Sequence, residues 1–159
     1  MRLTSRVAIA CGTSLLLVGC SKSDQVAIDS AAAPAAPAPA PAPLSLAAVA
    51  GKWNVRAVPE SGTDTTATTY VLTATADTTG WLITFPSGVK VPVHVMVSGD
   101  SVIEKTGVFE SQRRKGMKVM TDGSLRMENG KLVGTTIAHY TKAGPDSVLR
   151  LRTEGTKAP

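Results

Sequence analysis

Between Val89 and Val97 every second residue is valine, and the residues between are Lys90, Pro92, His94 and Met96. A period of two belongs to an extended strand, whose side chains alternate between its faces. One face of this strand is therefore apolar throughout and has to be buried. Pro92 lacks an N–H, so a bulge or a sheet edge is expected there. The same period recurs in Trp81, Ile83 and Phe85. It recurs in Trp53, Val55 and Ala57, opposite Lys52, Asn54 and Arg56, and in Tyr70, Leu72, Ala74 and Ala76 along a threonine-rich, β-favouring run. From Gly51 onward no stretch carries a period of 3.6, and the expected class is all-β.

Turn residues separate these runs. Asp77 to Gly80, Pro86 to Gly88, Ser98 to Asp100 and Lys142 to Pro145 read as loops. Asn129-Gly130 predicts a tight hairpin, because a type I′ turn needs positive φ at both central residues. Parity agrees, with Met127 and Leu132 on one face of the turn and Glu128 and Lys131 on the other. The inward series runs back through Leu125, Gly123, Thr121, Val119 and Met117, and forward through Gly134, Thr136, Ala138 and Tyr140. It passes Asp122-Gly123 unbroken, which predicts one long bent strand; a separate hairpin there is the alternative. Leu149 and Leu151 face in, with Arg150 and Arg152 out.

About eight strands joined by short loops make sequential antiparallel neighbours, since parallel pairs need long crossovers. An antiparallel up-and-down meander of that size does best by closing, which removes its edges. A small closed or nearly closed barrel over residues 51–159 is expected. An open sheet or a two-sheet sandwich comes second.

The first fifty residues have another character. Arg2 and Arg6 precede a run from Val7 to Val18 that is apolar apart from Gly12, Thr13 and Ser14, and Gly19 stands directly before Cys20. A run of that length, roughly 18 Å as a helix, is too short for a ~30 Å hydrocarbon core. A charged start, a short apolar middle and a small residue at the end make an export signal. Leu17-Val18-Gly19-Cys20 resembles the bacterial lipobox, with leucine three residues before the cysteine and a small residue just before it. The resemblance implies a signal peptide over 1–19 and lipid attachment at Cys20, whose thiolate is the natural nucleophile for it. Ser21 stands where retained inner-membrane lipoproteins often have Asp, which implies the outer membrane in preference to the inner.

Cleavage before Cys20 would remove Arg2 and Arg6 and lower the net charge from +5 to +3. The chain's two cysteines are Cys11 and Cys20, so no disulfide is expected in the domain. Such a mild charge, on an exported chain, points away from nucleic acid. Residues 20–50 read as a tether. Ala31 to Pro43 is built of Ala and Pro alone; fixed φ and missing donors exclude helix and sheet. In polyproline II form it would reach roughly 40 Å. Leu44 to Ala50 is an apolar lead-in able to pack as a turn of helix.

Gly51-Lys52-Trp53 opens the first strand and resembles the G-x-W that opens lipocalins and their barrel relatives. The resemblance implies that Trp53 closes the barrel floor under an arginine from a late strand, Arg150 or Arg152. Small lipocalin-like envelope lipoproteins are the nearer comparison, although the C-x-x-C of the copper-response type is absent.

Other sites are sparse. No metal and no cofactor is expected. His94 and His139 lack neighbours at ligand spacing and fall on the outward parity. Met117 and Met120 have opposite parity, so one strand does not offer both to one ion. Glu104 and Glu110 stand six apart on one expected strand, without the proximity of a hydrolase pair. Arg113, Arg114 and Lys115, with Lys118, form one dense basic cluster on a loop, suited either to solvent or to an anionic envelope component. No nucleophile elbow or phosphate-binding glycine loop is found. The expected function is non-enzymatic: a membrane-anchored lipoprotein whose barrel binds a small apolar ligand. The alternative is an inhibitor or assembly protein acting on a protein or glycan through the basic loop.

Overall fold

The structure is a computed structural model that describes residues 43–141, 144 and 147–159. Residues 1–42, which include the lipobox at Leu17 to Cys20 and most of the tether, lie outside the described residues, as do 142–143 and 145–146 of the Lys142 to Pro145 loop.

A short helix, α1 (Leu46–Val49), precedes nine strands: β1 (Gly51–Pro59), β2 (Thr68–Ala74), β3 (Trp81–Thr84), β4 (Lys90–Ser98), β5 (Ser101–Thr106), β6 (Phe109–Glu110), β7 (Lys118–Glu128), β8 (Lys131–Tyr140) and β9 (Val148–Lys157). All pairs are antiparallel, in the order β5-β4-β3-β2-β1-β9-β8-β7-β6. A further pairing of β5 with β7, from Ser101↔Arg126 to Lys105↔Asp122, closes the sheet. The result is an eight-stranded up-and-down barrel, with the two-residue β6 as an extra strand on β7. Closure leaves only short edges, at β6 and at the start of β4.

The alternation read from the sequence sets what faces in. Trp53, Val55, Ala57, Tyr70, Leu72, Ala74, Trp81, Ile83, Phe85, Val91 and Val93 are all buried. The series ends earlier than expected at two places. Ala76 belongs to the turn after β2, and Val97 is 39% exposed at the end of β4. β7 is one continuous strand through Asp122-Gly123. Asn129 and Gly130 both take positive φ, 50° and 76°, as a type I′ turn requires. Pairing of β4 with β5 stops at Val93, so Pro92 lies beyond it. Glu104 and Glu110 do not share a strand, a correction to the sequence reading: Gly107 and Val108 interrupt it, and the two sit on β5 and β6.

One end of the barrel is plugged. The apolar lead-in folds as α1, Val49 is fully buried, and Leu44 and Leu46 pack on the core. The Leu44 N–H donates to the Gly99 carbonyl at 2.9 Å. Trp53 lies above this plug and donates its indole N–H to the Val49 carbonyl at 2.8 Å. The cation beside the Trp53 ring is Lys157, with Nζ 5.5 Å from the centroid. Arg150 and Arg152, expected to close the barrel over Trp53, are instead exposed on the outer face of β9, with Arg150 paired to Glu60. They lie on the outward parity of β9, and Lys157 is the β9 residue whose register partner is Trp53. Among the described residues no helix is long and apolar enough to cross a membrane.

Candidate functional site

The opposite end of the barrel is differently built. Here β1 runs into the loop 60–67, β3 turns into β4 at Pro86-Ser87-Gly88, and β6 leads into the turn 111–117. Between these loops and the core is an interior cavity of about 60 Å³, walled by Tyr70, Phe85, Phe109, Tyr140, Glu104 and Thr136 among others. Tyr70 meets Phe85 edge-on at 5.7 Å between centroids, and Phe85 stacks on Phe109 at 5.8 Å.

Glu104 is the unusual wall residue. It is 3% exposed, and its Oε2 has no hydrogen-bond partner. Its place follows from parity on β5: Val102, Glu104 and Thr106 face in, whereas Ile103 and Lys105 face out. Across the closing seam it stands opposite Gly123. A β-carbon at 123 would sit 2.5 Å from Glu104 Cγ, so only glycine leaves room for this side chain. Burial alone raises the Glu104 carboxyl from 4.5 to about 7. Burial, and secondarily the nearby Glu104 charge, also push the Tyr70 phenol well above its usual 10, against a smaller opposite pull from Thr136.

The other buried polar groups beside the cavity are paired. Thr136 and Thr153 share a hydrogen bond at 2.8 Å, and Thr106 and Thr121 one at 3.1 Å. Thr106 also accepts from the Thr121 N–H at 2.9 Å. Buried polar atoms normally find such partners, and against that background the lone Glu104 oxygen is the exception.

The basic cluster forms part of the rim. Arg113 donates to the Asp64 carboxylate at 2.6 Å and to the Thr66 carbonyl, and so ties the 60–67 loop to the 111–117 turn. Its side chain is only 11% exposed. Arg114 lays its guanidinium over the Tyr140 ring at 4.1 Å. The Ser111 hydroxyl accepts from the Arg113 and Arg114 N–H groups at 3.2 and 2.9 Å and holds the turn tight. Ser87 and Gln112 hydrogen-bond across the mouth. Lys115 and Lys118 are exposed. Four clustered charges thus divide into two arginines packed on the barrel and two lysines in water.

His94 is exposed on β4. His139 lies on the outer face, with Nε2 3.1 Å from Asp122 Oδ2, close enough for an ion pair although out of hydrogen-bond alignment. Among the described residues no group of three or more His, Cys, Asp or Glu side chains is placed to hold a metal ion.

Sequence reasoning missed Glu104. Its signal was weak, because Val102 and Ile103 are adjacent apolar residues and either parity of β5 buries one of them. No protein-family model, curated protein or solved structure matches this chain.

Proposed function

We propose that this chain is an exported, membrane-tethered binding protein of lipocalin-like design, whose barrel mouth receives one end of a small, largely apolar molecule. The observation that carries this reading is the aromatic-walled interior cavity at one end of a barrel whose other end is plugged by α1 and Trp53. Its volume of about 60 Å³ compares with ~30 Å³ per water in the liquid and with roughly 300 Å³ or more for pockets that enclose a drug-sized ligand. The interior therefore takes a terminal group, and the rest of the ligand lies at the rim, between Phe85, Phe109 and the 60–67 loop. The address is the outer membrane, and the domain acts without catalysis.

The rival reading, an inhibitor or assembly protein acting through its basic loop, has less to draw on. Arg113 is committed to Asp64 and Thr66, and Arg114 packs over Tyr140. Lys115 and Lys118 are the solvent-facing charges of the cluster. Native mass spectrometry of the full chain, released from envelope extract in mild detergent, tests both readings. A co-purifying small molecule that is lost when Phe109 is replaced by Arg supports the barrel-mouth reading. A barrel that is always empty, together with a protein or glycan partner lost on replacing Lys115 and Lys118 by Ser, would replace it with the rival.

A further inference from the structure

We infer that the terminal group received by the barrel is a cationic nitrogen, an ammonium held by the Glu104 carboxylate within the aromatic walls of the cavity. The inference rests on the small-ligand reading above and adds the chemistry of the ligand's buried end. Glu104 Oε2 is a buried acceptor without a donor, on a residue that lines an interior space large enough for one small group. A carboxylate so placed is costly unless something pairs with it.

Among the described residues no group supplies that pairing. β4 faces Glu104 with Val95, and β7 with Gly123. β2 and β8 contribute Tyr70, Thr136 and Tyr140 to the same cavity. Among the described residues the cationic side chain on the wall is Arg113, which is turned to Asp64 and Thr66 and does not offset the effect of burial on Glu104. Both histidines lie on the outside. A donor from outside would complete the site, and a cationic donor is favoured twice, by the carboxylate and by the faces of aromatic rings. Gly123 is what allows the carboxylate to sit here, since a β-carbon at 123 would meet Glu104 Cγ at 2.5 Å.

The test uses the full chain carrying Cys20→Ser, so that lipid attachment is prevented, titrated at pH 8 with n-butylammonium, 1-butanol and butyrate and followed by NMR of the ¹³C-labelled glutamate carboxyls. The inference expects n-butylammonium to bind at least tenfold more tightly than 1-butanol, to move the Glu104 resonance, and butyrate to bind weakest. Glu104→Gln, nearly isosteric and free of the unpaired charge, should lose the tenfold preference and keep the alcohol's affinity. Gly123→Ala, which displaces the carboxylate, should weaken ammonium binding in the same direction. If the alcohol binds as well as the ammonium, or the preference survives in Glu104→Gln, the head-group inference is overturned and the small-ligand reading stands. If none of the three binds a folded chain, both fall together.

Discussion

The two ends of the barrel are made of the same strands and built on opposite rules. At the plugged end Val49, Trp53, Leu72, Trp81, Val102, Leu125 and Leu132 are each 2% exposed or less. The two indole N–H groups there both find carbonyls, those of Val49 and Asp77, at 2.8 Å. At the mouth end the buried set includes Glu104, Thr106, Ser111, Thr136 and Thr153. A space remains there, and one carboxylate oxygen is left without a partner. The first arrangement maximises apolar burial and satisfies every indole N–H. The second gives up part of that stability to keep a polar group and a void, and such local departures from good packing are characteristic of functional sites. On the proposed reading the mouth is the working end and the plug its support.

The strongest way to break this comparison is at the plug. Trp53→Ala removes one of the two largest side chains there and its bond to Val49, and should destabilise the domain by about 3–5 kcal/mol, as deletion of a buried tryptophan does elsewhere. Chemical denaturation followed by circular dichroism measures it. A loss below about 1 kcal/mol would mean that the plug is not the support.

The next effect has the opposite sign. In the unfolded chain the Glu104 carboxyl releases its proton near 4.5, and in the barrel only near 7. Below 4.5 both states hold the proton and the group carries no penalty. As pH rises through 4.5 toward 7 the unfolded chain gains by releasing it and the fold loses stability, by about 3 kcal/mol once pH exceeds 7. Glu104→Gln should therefore match the parent at pH 4 and exceed it by roughly that amount at pH 8, less whatever the buried amide leaves unbonded. Denaturation midpoints across that range measure it, and parallel curves for the two proteins would remove Glu104 from the account.

The smallest effect concerns the rim. Arg113→Met cuts the tie from the 111–117 turn to Asp64 and Thr66. Hydrogen exchange should accelerate at the amides of residues 60–67 while the β7 and β8 amides stay protected, because a partly exposed tie holds a loop locally. Uniform acceleration across the barrel would make Arg113 part of its global support.

The barrel was largely legible in the chain. The valines of β4, the Trp53 and Trp81 runs, the Asn129-Gly130 hairpin and the unbroken β7 all follow from a local rule, that successive side chains on a strand alternate and apolar ones go inside. The site was much less legible. Glu104 reads only as half of an unconvincing carboxylate pair, and Arg113 and Arg114 only as part of a basic loop facing solvent or an anionic partner. Arg113 meets Asp64 across 49 residues of sequence, a contact that no local pattern encodes.

What the sequence determined by itself is therefore the all-β class, the approximate number of strands and the inward face of each strand with strong contrast between its faces. β5 has no such contrast, and its Val102-Ile103-Glu104 segment fits either parity. Pairing with β4 and β7 decided it, placing Val102 opposite Leu125 and Glu104 opposite the one residue able to leave it room, Gly123. Lys157, and not Arg150 or Arg152, came to lie beside Trp53 because the register of β9 on β1 put it there. Alternation is a property of one strand and can be read from a few residues. Register, closure and the placing of a lone carboxylate depend on energies shared between segments far apart in the chain, and these exist only once the barrel has formed.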